Sequence, residues 1–194
     1  EQRHVLFSCT KPYAGACLHH LVDRGDLDYA DRVVDHWPEF AEAGTPKAEA
    51  TVRHVLSHQG GFPIVPIDGK PDRWGDWDAV AASVADADLA FEPGTTAAYH
   101  ALSYGWAVGE LVRRVSGTPI QDYARESIHR SVVPAACGIG TARDMARFYA
   151  CLANGGELDG TRILSEGVLG EATSVHAEVE RDGTLGTPRR YALG

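Results

Sequence analysis

The stretch Leu6–Pro12 reads LFSCTKP, and it carries the clearest structural signal in this sequence. Ser8 and Lys11 lie three residues apart, and Pro12 is tolerated in a first helical turn because its missing N–H would have no partner there. Residues three apart lie on one face of a helix, so Lys11 can bring its amine to the Ser8 hydroxyl. The spacing therefore predicts a serine held beside a lysine where a helix begins.

This S-x-x-K pair is suited to nucleophilic chemistry. A serine hydroxyl is a weak nucleophile until a neighbouring base takes its proton, and a lysine can be that base when its surroundings lower its pKa. The start of a helix adds N–H donors for a developing oxyanion. The alternative is a capping serine with a solvated lysine, since about one or two such spacings arise by chance in a chain of this length. Only Lys11, Lys47 and Lys70 are present, and Lys11 alone lies beside an apolar segment, which favours the catalytic interpretation.

Beyond this stretch, helical signals dominate the chain. Apolar residues continue at helical spacing until Gly25, a natural C-terminal stop. Convincing strands are few, and the end of the sequence, Arg190–Gly194, reads as the beginning of one. Further helices are predicted over 51–56, after the cap Asp76, from Ser103 to Gly117, at Thr118–Pro119, from Thr141 with Asp144, and after the cap Ser165.

Composition limits the classes of function. The 194 residues carry a net charge of −9, which disfavours nucleic acid as a partner, and 44% are hydrophobic, as in a globular protein. No apolar run approaches the roughly 20 residues that span a bilayer. No signal peptide is visible, so a cytoplasmic location is expected. The four cysteines, Cys9, Cys17, Cys137 and Cys151, have no metal-ligand spacing and are expected to be reduced, mostly buried thiols.

A second motif surrounds Tyr99, in the run Pro93–Ala101. By itself Tyr99 would be a core aromatic residue. Together with the S-x-x-K pair, however, the chain resembles the serine β-lactamase-like hydrolases, which include class C β-lactamases, family VIII carboxylesterases and D-alanyl carboxypeptidases. The matching stretches are Leu6–Pro12, Leu21–Asp28, Thr51–Pro63, the Pro93–Gly94 lead into Tyr99, Val115–Gly117, Gly138–Met145 and Gly155–Gly160.

The resemblance implies roles for individual residues. Ser8 would be the nucleophile, Lys11 would orient and deprotonate it, and Tyr99 would act as general base and later as acid. His100 would line the substrate pocket, although a packing role is as well supported. The three catalytic side chains should lie together in a cleft that is open on one side. The implied fold is α/β, with a helical subdomain packed on an antiparallel sheet, and neither a metal nor an organic cofactor is required.

Departures from the family pattern are also informative. Class C β-lactamases place Asn two residues after the tyrosine, where this chain has Ala101, and no nearby side chain replaces it; this favours the esterase branch. The family's opening strands, a long insertion near Arg130–Ser131 and the late Lys-Thr-Gly-type strand that supplies an oxyanion donor have no counterpart. We therefore expect residues 1–194 to form a single but incomplete domain that lacks much of the sheet.

The resulting expectation is a serine hydrolase that cleaves small carboxylic esters or amides through an acyl-enzyme, with weak β-lactam hydrolysis as a side activity. The alternatives are a true β-lactamase or D-alanyl-D-alanine carboxypeptidase, and a non-catalytic binding protein on the same scaffold. The oligomeric state is left open. The pair His54 and His58, four residues apart, has the spacing of a helical metal pair but no third ligand, which favours structural roles. His19 and His20 are expected on a helix surface.

Overall fold

The computed structural model describes residues 2–128 and 139–194, and helices predominate in both ranges. A short 3-10 turn, Phe7–Thr10, precedes the first helix, and a π-helical turn, Ala124–Ile128, follows the sixth. The α-helices are α1 (Lys11–Asp23), α2 (Val33–His36), α3 (Val52–Leu56), α4 (Trp77–Ala85), α5 (Ser103–Ser116), α6 (Ile120–Tyr123), α7 (Ala142–Ala153) and α8 (Glu166–Thr173). Among the described residues, none of the helices is long and apolar enough to cross a membrane.

The strands of the described ranges form three small antiparallel pairs. They are β1 (His4–Val5) with β2 (Ile139–Gly140), β3 (Glu157–Leu158) with β4 (Thr161–Arg162), and β5 (Ala177–Val179) with β6 (Arg189–Tyr191). The strand expected from Arg190 is confirmed as β6. The expected insertion point near Arg130–Ser131 and Cys137 lie outside the described residues.

The core is built around α1 and α5, which pack against each other. Apolar residues of both helices, among them Leu18, Leu21, Leu111 and Val112, are fully buried in one hydrophobic cluster. Burial of one such side chain contributes about 1.5–3 kcal/mol, so this pair is a strong anchor for the segments that lead into it. Ser8 stands just before α1 and Tyr99 just before α5, so the packing of these two helices brings both residues to one place.

Local capping signals fix most helix boundaries as the sequence predicts. The Asp76 carboxylate accepts the Ala79 N–H at 3.1 Å at the start of α4, and Ser165 accepts the Val168 N–H at 3.3 Å at the start of α8. Gly117 ends α5 with a φ of 72°, a conformation that glycine adopts without steric cost. The expectation at Thr118–Pro119 is shifted, because α6 begins one residue later with Pro119 as its cap.

Two expectations about individual side chains are wrong, and one is confirmed. His19 is not a surface residue: it is buried, and its ring nitrogens contact the Tyr29 hydroxyl at 2.8 Å and the Leu193 carbonyl at 2.7 Å. Lys11 is not the only lysine in an apolar setting, because Lys47 is 8% exposed and lies over the Phe40 ring. The described cysteines are free thiols as expected; Cys17 and Cys151 are buried, whereas Cys9 is exposed.

Candidate active site

Ser8 lies in the 3-10 turn that runs directly into α1, and its side chain is exposed. The residue before it, Phe7, has a φ of 46°, in the left-handed region. A non-glycine residue in that region costs about 1–2 kcal/mol, and such strain is found most often at functional sites. The turn thus presents an accessible hydroxyl at the point where the chain enters the core helix.

The hydroxyl of Ser8 meets the two predicted partners. Tyr99 Oη lies 2.7 Å from Ser8 Oγ, and Lys11 Nζ lies 3.3 Å from the same atom. Lys11 Nζ is also 4.7 Å from the centre of the Tyr99 ring, so the three groups form one compact cluster. A nucleophile with candidate bases within hydrogen-bonding reach is the arrangement that proton transfer requires.

The Lys11 ammonium has a second anchor that sequence reasoning missed. Lys11 Nζ donates a hydrogen bond of 2.8 Å to the backbone carbonyl of Ala101. Ala101 stands at the position of the family's asparagine, and its backbone carbonyl provides the lysine with an oxygen acceptor. A backbone acceptor leaves no trace in residue type, so only the structure could reveal it.

A pocket of about 300 Å³ opens beside Ser8. Its walls come from the two segments that lead into α1 and α5 and from the first turns of those helices. The lining residues are Phe7, Ser8, Thr10, Lys11, Ala14, Ala101, Leu102, Tyr104 and Gly105. Because Phe7 and Leu102 are exposed on its rim, at 83% and 39%, the pocket is accessible from solvent, in agreement with the expected open cleft.

The His58 ring packs against Tyr99, with ring centres 4.9 Å apart. Burial, together with the neighbouring His100 and Lys11, lowers the pKa of His58 to about 3, whereas Asp182 acts in the opposite direction. His58 is therefore neutral at neutral pH and adds no second cation beside Lys11. Its φ of 61° is a further strained backbone position close to the site.

His100 does not lie on the wall of the pocket. Its side chain is 1% exposed, its Nδ1 contacts the Ala98 carbonyl at 2.6 Å, and its ring packs edge-on against Phe62 at 5.1 Å. Burial lowers the pKa of His100 to about 4, so the ring is neutral. These contacts favour the packing alternative for His100 over contact with substrate.

His54 and His58 do not form a pair on one helical face. His54 lies within α3, where its Nδ1 accepts the Thr51 N–H at 3.3 Å and completes the helix cap. His58 lies beyond the end of that helix, and its Nδ1 accepts the His100 N–H at 3.1 Å. Both residues have structural partners, and within residues 2–128 and 139–194 no group of three or more potential ligands is placed to hold a metal ion.

Comparison with known proteins gives a consistent assignment. The family model described as Beta-lactamase matches residues 1–133. The esterase/beta-lactamase LipL of Mycobacterium tuberculosis is 28% identical over 264 residues, which cover 98% of this chain and 60% of LipL. Because that span is longer than this chain, LipL has residues within it that have no counterpart here.

Two solved structures have the same architecture. A penicillin-binding protein homologue from Caulobacter crescentus is 29% identical, with a TM-score of 0.88 over 99% of this chain. A family VIII carboxylesterase is 28% identical, with a TM-score of 0.88 over 100% of this chain. This chain covers 66% of each of those proteins. These likenesses confirm the fold expected from the sequence, a helical subdomain with antiparallel strands of which this chain contains a part.

Proposed function

This chain belongs to the beta-lactamase family, and on that premise we propose that the protein is a serine hydrolase that cleaves small carboxylic esters through an acyl-enzyme intermediate. The observation that carries the proposal is the convergence of Tyr99 and Lys11 on the Ser8 hydroxyl, at 2.7 and 3.3 Å. A hydroxyl in this position has both a proton acceptor and a neighbouring positive charge. The similarity to LipL, an esterase/beta-lactamase, and to a family VIII carboxylesterase supports the same activity.

The first half of the reaction forms the acyl-enzyme. Ser8 Oγ attacks the carbonyl carbon of the ester while its proton passes to the Tyr99–Lys11 pair, and the carbonyl electron pair moves to the oxygen. When the tetrahedral intermediate collapses, the carbon–oxygen bond to the alcohol breaks and the leaving alkoxide takes a proton from Tyr99. Lys11 is held at 2.8 Å by the Ala101 carbonyl and lies within reach of the Ser8 hydroxyl, where it takes part in this proton exchange.

The second half releases the acid. A water molecule beside Tyr99 loses a proton to the phenolate and attacks the acyl carbon, and Ser8 leaves with a proton returned from the Tyr99–Lys11 pair. This sequence uses the same groups in both directions and requires no metal or organic cofactor. Substrate is a small molecule with an ester or amide bond.

A second candidate function is β-lactam or D-alanyl-peptide hydrolysis. The likeness to a penicillin-binding protein homologue, over 99% of this chain, supports it. Ala101 argues for the ester, because the class C β-lactamases have a side-chain amide at this position. Turnover of a p-nitrophenyl ester, a cephalosporin and a D-alanyl-D-alanine peptide by one preparation of the full-length protein would separate the two candidates.

The proposal is tested by covalent labelling of Ser8. We expect a serine-reactive fluorophosphonate to add one phosphonyl group to the full-length protein, on the peptide that contains Ser8, as measured by mass spectrometry. Ser8→Ala should abolish both the adduct and ester turnover. Cys9→Ala is the matched control, because Cys9 is an exposed nucleophile on the next residue and its loss should leave labelling intact. An unlabelled protein that still binds ester would support the non-catalytic alternative instead.

A further inference from the structure

Tyr99 lies in a segment that belongs to no helix or strand, and alternate residues of this segment contact two different loops. The Ala98 N–H donates to the His58 carbonyl at 3.1 Å, and the His100 N–H donates to His58 Nδ1 at 3.1 Å. The Tyr99 N–H points elsewhere and donates to Asp182 Oδ1 at 3.2 Å. Because the segment has no regular hydrogen bonding of its own, these contacts determine where the Tyr99 backbone lies.

Asp182 belongs to the loop between β5 and β6 and is 1% exposed. Besides Tyr99, its Oδ1 accepts the N–H groups of Thr184 at 2.8 Å and Leu185 at 2.6 Å, and its Oδ2 accepts the Tyr191 hydroxyl at 2.7 Å. A buried carboxylate is costly unless hydrogen bonds satisfy it, and here four donors do so. The single side chain therefore connects its own loop, strand β6 and the backbone of Tyr99.

The charge state of Asp182 agrees with this role. Burial alone would raise the pKa of this carboxyl, but hydrogen bonds from Leu185, Tyr191, Tyr99 and Thr184 lower it below its ordinary value. Burial and the bond to Asp182 both raise the pKa of Tyr191, so this phenol remains the donor. At neutral pH the carboxylate is ionised, and both of its oxygens act as acceptors.

The neighbouring residue, Gly183, allows the loop to approach this segment closely. The Gly183 N–H donates to the Ala97 carbonyl at 3.1 Å. A Cβ at position 183 would lie only 2.9 Å from the Ala98 Cβ, so any larger residue would force the loop away. Asp182 and Gly183 thus form a second docking contact for the segment, on the side not held by the His58 loop.

We propose that Asp182 is a positioning residue for Tyr99, which fixes the backbone from which the phenol reaches the Ser8 hydroxyl. The hairpin of β5 and β6 thereby contributes to the active site from a point 83 residues beyond Tyr99. This inference rests on the proposed function, because the position of Tyr99 matters to turnover only if its hydroxyl acts on Ser8. Asp182 acts through Tyr99 and not on the substrate.

The test is a double-mutant cycle on ester hydrolysis by the full-length protein. A misplacement of a catalytic group by about 1 Å can cost on the order of 100-fold, so we expect Asp182→Ala to lower kcat by about 10- to 100-fold with little change in KM. In a Tyr99→Phe background the same substitution should have no further effect on kcat, because the group that it positions is gone. An activated p-nitrophenyl ester keeps the residual rates measurable.

Two further variants separate position from charge and from folding. Asp182→Asn keeps an oxygen that can accept the Tyr99 N–H, while its amide group can donate to the Tyr191 hydroxyl, so it should retain most of kcat. Gly183→Ala keeps the carboxylate but displaces the loop, so it should lower kcat like Asp182→Ala and test the proposal even if that variant fails to fold. Arg181→Ala is the matched control, because this exposed neighbour should be replaceable without effect on kcat.

Each outcome decides between the two proposals. If Tyr99→Phe is inactive but Asp182→Ala and Gly183→Ala keep the wild-type kcat, the positioning role is wrong and the proposed function stands. If Tyr99→Phe keeps the wild-type kcat, the base role of Tyr99 and the positioning role are both wrong. If Asp182→Ala lowers kcat by the same factor in both backgrounds, it acts independently of Tyr99 and the inference is overturned.

Discussion

Lys11 and Lys47 both lie near an aromatic ring but differ in burial and in their hydrogen-bond partners. Each ammonium lies near an aromatic ring, Lys11 at 4.7 Å from the centre of Tyr99 and Lys47 at 4.9 Å from that of Phe40. Lys47 is buried and donates to three carbonyls at the end of α4, at 2.8, 2.6 and 2.7 Å. Lys11 lies at the cleft and donates to one carbonyl, that of Ala101, and to the Ser8 hydroxyl.

The difference lies in the chemistry of the partners. An ammonium has three N–H donors, so three carbonyls use all of those of Lys47, and a carbonyl can neither supply nor keep a proton at neutral pH. Lys11 gives one donor to a carbonyl and directs another to a hydroxyl, which can exchange its proton. A lysine that caps a helix and a lysine that serves a nucleophile are thus distinguished by the chemistry of their partners as well as by burial.

The largest expected effect comes from removing the proton-exchanging lysine. Lys11→Ala should lower kcat for ester hydrolysis by on the order of 1,000-fold, within the range for loss of acid–base catalysis. Lys11→Arg should be nearly as damaging, because a guanidinium stays protonated and cannot take part in proton exchange. Steady-state kinetics of both variants check this. Full activity in Lys11→Arg would mean that Lys11 acts only as a fixed charge.

The opposite result is expected for Lys47. Lys47→Met keeps the length of the side chain but removes the donor that three carbonyls share. Among the described residues, only the Val84 carbonyl of these three keeps a further donor, the Ala87 N–H at 3.4 Å; the free energy of unfolding should therefore fall by about 3 kcal/mol. The kcat of the folded fraction should not change, because Lys47 has no contact with Ser8. Urea unfolding and active-site titration measure the two effects separately. A loss of kcat in the folded fraction would contradict the division between the two lysines.

The sequence predicted those features of the fold that depend on a few consecutive residues, such as helix caps. The structure has the helix caps where the sequence indicates, at Asp76, Ser165 and Gly117. It also places Ser8 and Lys11 together, as their spacing predicts. The nearness of Tyr99 to Ser8 was expected only through resemblance to a family, because the two residues are 91 positions apart.

Contacts between distant parts of the chain were not predictable from residue type. His19 was expected on the surface because nothing near it in the sequence indicates a buried partner. The carbonyl that it contacts, at Leu193, lies 174 residues away. Lys47 was overlooked because a lysine in a polar stretch gives no sign that carbonyls from another helix will surround it. Asp182 gave no signal in the sequence, since its four donors come together only in the folded chain.

The buried histidines should also make the free energy of unfolding depend on pH. Burial lowers the pKa of His19 to about 4, of His58 to about 3 and of His100 to about 4, whereas unfolded histidine titrates near 6.5. Below about pH 6.5 the unfolded chain binds protons that the folded chain does not, so stability is full above that pH and falls as the pH decreases.

The expected slope is about 1.4 kcal/mol per pH unit for each such group. Urea unfolding at pH 7, 6 and 5 measures it. His100→Asn, whose amide can keep a bond to the Ala98 carbonyl, should reduce the slope by one group, whereas His4→Gln, at an exposed position, should leave it unchanged. An equal slope in all three proteins would show that His100 is not titrating as its burial requires.

The smallest effect is expected at the other end of the helix that Lys47 caps. The Asp76 carboxylate accepts the Ala79 N–H at 3.1 Å and so satisfies one donor at the start of α4, at an exposed position. Loss of such a cap costs about 1 kcal/mol, so Asp76→Ala should lower the free energy of unfolding by less than Lys47→Met does. Water can replace the exposed carboxylate at Asp76 more readily than it can replace Lys47, whose bonds to the Val84 and Ala87 carbonyls are buried. If both variants lose the same free energy of unfolding in urea, burial does not make the Lys47 cap stronger. The stabilising role that distinguishes Lys47 from Lys11 would then be wrong.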